Sequence, residues 1–465
     1  MLYRYRVMVV YIVGLFMTII DGTIVNVALP TLAREFEVSS TDIEWVSIAY
    51  LLALAAVIPA AGWLGDRFGT KRMFVVALAV FVIASGLCGA APSLSILVVF
   101  RILQGLGAGL ITPIGSAMLF RAFPLEERST ATVGVLSVAV VAPAIGPVLG
   151  GVLVDNTSWR WIFFVNLPIG AVALVLAALW LREERRDAAG RLDVRGLVLS
   201  ATGVSLLIYT LSTGPENGWL APQTIATGAI GVVAVVALVV IELGLDQPLL
   251  QLRLFANRLF RIVNISASMV YAGFFGWVFV LPLYMQTLRG FSATQSGLVQ
   301  APQAFAVFVV SNLLGKRVYR VVGPRRLMIV GSAATAMITG AFALADLDTP
   351  LWILGTGSAL RGAAVGMVFV SIQTAVYASV SHADTGRATS LFNTQRQIAF
   401  AAGVALAASV IAAEVSAVGG DSAPAIDRLP AYQWGFLAMG LVMLPAAVAS
   451  WFVHDEDVAA TRGLA

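Results

Sequence analysis

Two ionisable residues lie deep within long apolar segments of this sequence. Asp21 falls in the first segment, at residues 7–29, and Arg101 in the fourth, at 94–119. A carboxylate in the hydrocarbon core of a membrane costs several kcal/mol unless it is paired, protonated or in contact with water. At 1.5 Å per residue, both lie about 10–12 Å from the same end of their helices, so an ion pair is possible. A proton that arrived on Asp21 would then release Arg101. The alternatives are a static pair, or an Asp21 carboxylate satisfied by neighbouring Thr and Asn side chains.

A short charged turn separates the apolar segments 44–64 and 73–91. Each segment is long enough to cross a bilayer, since about 20 apolar residues span the hydrocarbon core. The turn therefore joins two predicted membrane spans. A fainter copy of it, Gly315-Lys316-Arg317 followed by Gly323, indicates an internal repeat. The residues that define the turn are Gly62, Gly65, Asp66, Arg67, Gly69 and Arg72.

The fifth apolar segment is rich in proline and glycine. Each proline removes a helical hydrogen bond and favours a bend, and glycines permit close packing of two helices. This pattern predicts a bent helix that packs tightly against a neighbour, and small-residue packing alone would also explain it. The residues concerned are Pro143, Gly146, Pro147, Gly150 and Gly151.

Further polar and aromatic residues within the apolar segments are candidates for a roomy amphipathic cavity. For each of them, contact with lipid or with another helix is an equally good interpretation. Arg361 and Arg396 also lie deep in their segments, and we expect backbone carbonyls, Asn393 or Gln373 to satisfy them. If one of these arginines faced the cavity, a neutral or anionic substrate would be favoured over a multivalent cation. The other candidates are Asn26, Tyr271, Trp277, Tyr284, Gln286, Gln300, Gln303 and Tyr377.

The composition excludes an ordinary soluble protein. Hydrophobic residues make up 59% of the 465 residues and charged residues 12%, against about 25% charged in soluble domains. His382 and His454 are isolated and Cys88 is the single cysteine, so we expect neither a metal site nor an enzyme. No phosphate-binding G-x-x-x-x-G-K-[ST] loop occurs, which predicts that energy comes from an ion gradient rather than from a bound cofactor.

The apolar segments predict an all-α polytopic membrane protein with fourteen spans. Twenty-two of the 29 Lys and Arg residues fall on the side of the N-terminus and four on the other, which predicts that both termini are cytoplasmic. The same distribution explains the net charge of +4 without nucleic-acid binding. The spans are 7–29, 44–64, 73–91, 94–119, 128–154, 160–181, 195–213, 222–243, 260–287, 293–315, 326–345, 351–377, 387–413 and 432–453.

The repeat divides the chain into three parts. Residues 1–187 form a first six-helix half, residues 188–256 a linker with two inserted helices, and residues 257–465 a second six-helix half. The charge run Arg182–Asp187 is expected to be a solvated part of the linker.

With these residues in view, the chain resembles the fourteen-span drug:proton antiporters of the major facilitator superfamily. The resemblance covers nearly the whole chain and rests on the stretches Asp21–Pro30, Gly62–Arg72, Arg101–Gly109, Gly146–Gly151, Trp159–Gly170 and Asn393–Gln397. It implies the major facilitator fold, proton coupling at Asp21 and Arg101, and an element at 146–151 typical of antiporters. It also implies a gating latch made by Asp66, Arg67 and Arg72, with Asp66 docked near Arg387.

The function that the resemblance implies is proton-coupled export of hydrophobic or amphipathic small molecules by alternating access. The expected partners are such a substrate, protons and the lipid bilayer, and the protein is expected to be a monomer in a bacterial inner membrane. The alternatives are a dedicated exporter of one metabolite, siderophore or lipid, an importer, and a receptor or scaffold that does not transport.

Overall fold

A computed structural model describes residues 2–38, 40–124, 127–184, 193–245, 248–313, 319–381, 384–420, 423–454 and 456–458. Over these residues the regular structure is helical throughout. The long helices are α1 (Tyr3–Glu35), α2 (Trp45–Phe68), α3 (Thr70–Gly89), α4 (Leu94–Ala122), α5 (Arg128–Asn156), α6 (Trp161–Trp180), α7 (Val194–Asn217), α8 (Pro222–Gly244), α9 (Arg258–Leu288), α10 (Ala293–Leu313), α11 (Pro324–Leu344), α12 (Leu351–Ala375), α13 (Thr385–Ala417) and α14 (Ala425–Trp451).

Twelve of these helices are long and apolar enough, within the described residues, to cross a membrane. Helices α5 and α10 occupy the places of the fifth and tenth predicted spans. The all-helical architecture is therefore confirmed, and the number of fourteen crossings stays a prediction. The two inserted helices of the prediction, α7 and α8, are both among the twelve.

Each half of the bundle has its own apolar core. We call α1–α6 the first half, α9–α14 the second half, and α7 with α8 the inserted pair. Buried residues of the first half pack around Phe74 and Phe81, and those of the second half around Phe260 and Trp277. Such helix bundles suit a membrane because each helix satisfies its own backbone hydrogen bonds.

The inserted pair touches both halves through α7. The Ser205 hydroxyl donates to the Leu52 carbonyl of α2 at 3.2 Å, and the Tyr209 ring stacks on Trp45 with centroids 5.9 Å apart. On the other side, Trp219 Nε1, just beyond the end of α7, donates to Ser409 Oγ of α13 at 2.7 Å. Helix α7 thus bridges the two halves.

The start of α1 and the end of α14 lie at the end of the bundle that carries most of the basic loops, which we call the basic end. Near the N-terminus, Arg4 forms an ion pair of 3.0 Å with Glu127, which precedes α5. Near the C-terminus, the Phe452 carbonyl accepts from Arg258, the first residue of α9, at 3.0 Å. The side of a membrane on which this end lies stays a prediction.

The charge run after α6 is partly docked against the protein, which differs from the solvated linker expected of it. The Glu183 carboxylate accepts from the backbone N–H groups of Lys71 and Arg72, both at 3.1 Å. Those groups belong to the first turn of α3, where backbone N–H groups have no helical partner. The close approach requires Gly69, at φ +97°, because a Cβ there would stand 2.2 Å from the Glu183 carboxylate. Residues 185–187 of the run lie outside the described residues.

Candidate functional site

The Asp21 carboxylate is fully buried and accepts three hydrogen bonds from two other helices of the first half. Its Oδ2 accepts from Arg101 Nη1 of α4 at 2.6 Å. Its Oδ1 accepts from Gln104 Nε2 of α4 at 2.7 Å and from Asn166 Nδ2 of α6 at 3.0 Å. The structure therefore brings together the two residues whose depths matched in the sequence.

The Arg101 guanidinium is 1% exposed and has several partners besides the carboxylate. Besides Asp21, it donates from Nη1 to Gln104 Oε1 at 2.7 Å and from Nε to the Val46 carbonyl of α2 at 3.0 Å. Its Cζ lies 4.1 Å from the centroid of the Tyr50 ring. A buried ion pair is tolerated only when such additional hydrogen bonds compensate for the lost water.

The network continues from Asn166 toward α3. Asn166 Nδ2 donates to Ser85 Oγ at 3.1 Å, and the Ser85 hydroxyl donates to the Phe163 carbonyl at 2.9 Å. Sequence reasoning missed Gln104 and Asn166 as members of the site. The available signals were the spacing of three residues between Arg101 and Gln104, which places both on one helix face, and the position of Asn166 within the stretch Trp159–Gly170.

The charged turn forms a second polar cluster, at the basic end. Asp66 Oδ1 accepts from Arg121 Nη2 of α4 at 3.0 Å, and the two side chains are 3% and 5% exposed. Arg67 and Arg72, which the resemblance places in the latch, are exposed. The sequence gives no sign of the contact between Arg121 and Asp66, because the two residues are 55 positions apart.

The Asp66–Arg121 pair lies against the first turn of α13 in the second half. A Cβ added to Gly386 would stand 3.0 Å from Arg121 Nη2 and 3.7 Å from Asp66 Oδ1. This is the neighbourhood of Arg387 in which we expected Asp66 to dock. A carboxylate near a helix N-terminus is favoured by about 0.3–1 kcal/mol.

Hydrogen bonds join the two halves near the same end. The Gly62 N–H donates to Ser390 Oγ at 2.9 Å, and the Thr389 hydroxyl donates to the Pro113 carbonyl at 3.3 Å. Arg128 Nη1 donates to the Tyr377 carbonyl at 2.8 Å. We call the contact of residues 62–66 and 113–121 with residues 386–390 the gate. In this structure the gate is closed.

The proline- and glycine-rich element lies in α5, which is helical from Arg128 to Asn156. Gly146 is buried against α1, and a Cβ there would stand 2.0 Å from Thr23 Oγ1. This is the tight packing that the pattern predicts. Pro143 is half-buried and Gly150 is buried, whereas Gly151 faces open space. The side chain of Pro147 lies outside the described residues.

Four of the cavity candidates lie together at the contact between the halves. Gln373 Nε2 donates to the Tyr271 hydroxyl at 3.4 Å, and Arg396 Cζ lies 6.0 Å from the Tyr271 ring centroid. The Tyr377 ring packs on Phe120 of the first half, with centroids 4.6 Å apart. We call Tyr271, Gln373, Tyr377 and Arg396 the central cluster.

Other candidates lie elsewhere. Asn393 is one turn from Arg396, and its Nδ2 donates to the Thr389 carbonyl at 2.7 Å. The Tyr284 hydroxyl donates to the Asp346 carbonyl at the end of the bundle away from the gate, where Gln286 is exposed. Gln300 is half-buried on α10, and the side chain of Asn26 lies outside the described residues.

Arg361 is completely buried within the second half. Its Nη1 donates to Gln303 Oε1 at 2.6 Å and its Nε to Thr339 Oγ1 at 2.8 Å. The guanidinium also lies 4.0 Å from the Trp277 ring centroid. Its Nη2 donates to the Phe274 carbonyl at 3.5 Å, which is a backbone carbonyl as expected. Gln303 and Thr339 stand in place of the expected Asn393 and Gln373, and Gln303 is occupied by this contact.

The arrangement of two helical halves, each with a buried arginine on its fourth helix, can be compared with known proteins. The sequence profile described as Major Facilitator Superfamily matches residues 11–404. This chain belongs to the major facilitator superfamily. The superfamily comprises transporters, which agrees with the expectation that the chain is not an enzyme.

Relatives support the same assignment, and a solved structure has the same fold. The chain is 31% identical over 404 residues to the uncharacterized MFS-type transporter YhcA of Bacillus subtilis (strain 168), covering 87% of this chain and 76% of that protein. It is 34% identical over 393 residues to the multidrug resistance protein B homolog of Mycobacterium tuberculosis (strain ATCC 25618 / H37Rv), covering 83% and 72%. The structure of the proton:xylose symporter XylE aligns with a TM-score of 0.67 at 15% identity, over 97% of this chain and 96% of that one. The major facilitator fold is thereby confirmed.

Proposed function

We propose that this protein is a proton-coupled antiporter that exports hydrophobic or amphipathic small molecules by alternating access. The observation that carries the proposal is the buried Asp21 carboxylate, bonded to Arg101, Gln104 and Asn166. Membership of the superfamily and the similarity to a multidrug resistance protein homolog support it. Ionisable groups buried in a membrane protein commonly serve proton or substrate movement.

Protonation of Asp21 would remove the negative charge that holds the Arg101 guanidinium. Arg101 would keep its bonds to Gln104 and the Val46 carbonyl, so the cation would stay satisfied while α1 is released from α4 and α6. Three helices of the first half would therefore respond to one proton. A ligand shifts such an equilibrium only through its different affinity for the two states.

Protonation of Asp21 would shift the equilibrium between the closed and the open gate. Opening the basic end requires separation of Gly62 from Ser390, of Thr389 from the Pro113 carbonyl, and of Asp66 with Arg121 from Gly386. The antiporter element contributes through Gly146, which packs α5 against Thr23, two residues after Asp21. We propose that rigid rocking of the two halves couples these contacts to the central cluster.

The central cluster favours a neutral or anionic substrate over a multivalent cation. Arg396 is half-buried among aromatic rings and a glutamine amide, and it forms no ion pair with a described carboxylate. A dedicated exporter of one acidic metabolite or lipid would use the same chemistry, so it remains the second candidate.

The remaining features of the proposal follow from charge and composition. We propose that the basic end lies on the cytoplasmic side of a bacterial inner membrane, with both termini cytoplasmic, and the excess of Lys and Arg on that side supports this orientation. The energy source is the proton gradient, with no cofactor, and the protein acts as a monomer.

The test uses inverted vesicles with an acid interior and a pH-sensitive dye. Cationic, neutral and anionic amphiphiles are added to the wild type, to Asp21→Asn and to Glu414→Gln, which replaces an exposed carboxylate. Proton efflux induced by compounds in the wild type and in Glu414→Gln, but not in Asp21→Asn, is the expected result. Equal responses in all three would move coupling away from Asp21. Substrate movement in the import direction would favour an importer. A lack of response with every compound would favour a dedicated exporter of an untested substrate, or a scaffold.

A further inference from the structure

Two carboxylates of the inserted pair face each other in a place that the proposed transport cycle does not use. Asp193 immediately precedes α7, and Glu242 lies in the last turn of α8. Oδ2 of Asp193 and Oε1 of Glu242 both lie 2.3 Å from the point where a Cβ at Gly196 would stand. The two oxygens are therefore at most twice that distance apart, and only a glycine at residue 196 leaves room for them.

Neither of these oxygens has a donor among the residues that the structure describes. Glu242 is 1% exposed, and its Oε1 has no hydrogen-bond partner among the described residues. Asp193 Oδ2 also has no hydrogen-bond partner among these residues. Two ionised carboxylates are acceptors only, so two of them in contact without water repel each other and both lose solvation. One proton between them changes the repulsion into a strong, charge-assisted hydrogen bond.

The described charged groups nearby do not neutralise the pair. Arg195, on α7, is exposed, and Arg253 donates from Nη2 to the Leu243 carbonyl at 3.2 Å. Arg387, on α13, donates from Nη1 to Gln251 Oε1 at 3.2 Å. The ion pairs of the described residues involve neither Asp193 nor Glu242.

The pair is connected to the gate by a short stretch of chain. Glu242 Oε2 accepts from the Leu250 N–H at 3.3 Å, which fixes the segment that leads into α9. The next residue, Gln251, holds Arg387, and Arg387 directly follows Gly386, on which the Asp66–Arg121 pair lies. A change of charge at Glu242 is thus three contacts away from the gate.

We propose that Asp193 and Glu242 share one proton and form a second proton-binding site, which ties the inserted pair to the gate. With the proton bound, the start of α7 and the end of α8 are held together and Leu250 stays fixed. Loss of the proton separates the two carboxylates, frees residues 248–252 and weakens the bond between Gln251 and Arg387. The inserted pair is then a pH-sensitive support of the closed gate.

The direct test is infrared spectroscopy of the full-length protein in lipid nanodiscs at neutral pH. A protonated carboxylic acid gives a carbonyl band that an ionised carboxylate lacks. We expect such a band in the wild type and its loss in both Glu242→Gln and Asp193→Asn, because each amide supplies a donor and leaves one ionised carboxylate. Glu414→Gln is the matched control, and Asp21→Asn separates any contribution from the first half.

Each other outcome overturns the proposal. A band retained in both variants belongs to other groups. A band lost in only one variant belongs to a single protonated carboxyl group, and no proton is then shared between the two. Gly196→Ala gives an independent check with both carboxylates present, because its Cβ would force them apart, and it should shift or abolish the band. None of these measurements depends on transport, so they stand apart from the test of the antiporter.

The connection to the gate is tested by hydrogen–deuterium exchange of residues 248–256. After correction for the intrinsic rates, exchange in the wild type should be slower at mildly acidic than at alkaline pH. In Glu242→Gln it should be slow at both. Equal protection of the wild type at the two pH values would refute the connection.

Discussion

Arg101 and Arg361 are both completely buried on the fourth helix of their halves, but of the two only Arg101 has an ion pair with a carboxylate of the described residues. Arg101 donates to Asp21 at 2.6 Å, whereas Arg361 is held by Gln303, Thr339 and the face of the Trp277 ring. The first half therefore contains a pair whose charge one proton can change. The second half contains a fixed cation whose neighbours are neutral. The two halves therefore differ in the partners of their buried arginines, and the half with the ion pair is the one in which proton coupling is proposed.

This difference predicts unequal effects of removing the two arginines. Arg101→Met would leave Asp21 as an uncompensated buried carboxylate, for which a loss of about 3–5 kcal/mol is expected. Arg361→Met would leave only neutral acceptors without donors, which costs about 1–3 kcal/mol of stability. It would also remove a buried charge that has no ion pair with a described carboxylate, which offsets part of that cost. We expect thermal unfolding in detergent to show the larger decrease for Arg101→Met. In addition, Asp21→Asn combined with Arg101→Met should recover part of the loss. A larger effect of Arg361→Met would contradict this explanation.

Gly62→Ala should weaken the closed gate. A Cβ at Gly62 would stand 2.9 Å from the Gly386 carbonyl oxygen, so closure would cost about 1–3 kcal/mol of overpacking. Distances between spin labels at the exposed positions Arg67 and Ser379, in a Cys88→Ser background, would report this as a larger open population. Gly65→Ala is the matched control, because its Cβ has its first contact at an ordinary 3.5 Å. Identical distance distributions for the two alanine variants would show that Gly62 does not limit closure.

The Asp66–Arg121 pair should contribute to gate closure as a unit. Asp66→Asn alone leaves the 5% exposed Arg121 without its carboxylate, and Arg121→Gln alone leaves Asp66 without its cation. Breaking a buried pair from either side costs about 3–5 kcal/mol. In a double-mutant cycle on the same label distances, we expect the double variant to be less open than the sum of the singles. Additive effects would mean that the two side chains act independently.

Glu183→Gln should loosen the N-terminus of α3. The carboxylate binds two backbone N–H groups there and also complements the helix dipole, so a loss of about 0.5–2 kcal/mol is expected. Glu184→Gln is the control, because Glu184 bonds to Thr70 through its backbone carbonyl. Exchange of the Lys71 and Arg72 amide protons should rise in the first variant only. Equal exchange in both variants would show that the Glu183 carboxylate does not cap α3.

Arg396→Gln should change the charge class of the transported compounds. Loss of a charge-assisted hydrogen bond of about 1.5–3 kcal/mol corresponds to roughly 10- to 100-fold weaker activity of anionic compounds. Neutral compounds should be affected much less, and Arg396→Lys should keep part of the anionic response. The dye assay in inverted vesicles gives this comparison directly. An unchanged response to anions would place Arg396 outside the substrate path.

The sequence alone was sufficient for the helices and for the general position of the site. Hydropathy is a local property, so long apolar runs such as 73–91 and 222–243 marked membrane helices without knowledge of their neighbours. An unpaired charge costs more the deeper it lies in lipid, and depth can be read from position along a helix, which made Asp21 and Arg101 candidates and placed them at the same level. The Gly62–Arg72 pattern marked the gate loop because its charged residues separate two apolar runs.

Only the tertiary structure decided which groups meet. Gln104 and Asn166 complete the Asp21 site, Arg121 rather than Arg67 or Arg72 pairs with Asp66, and Gln303 belongs to Arg361. These contacts join residues 50 or more positions apart, and the rotation of each helix about its axis determines them. Hydropathy does not specify that rotation in helices that are apolar on most faces. The packing of one helix against the next therefore selects the partners of each buried charge, after the sequence has determined where those charges lie along the chain.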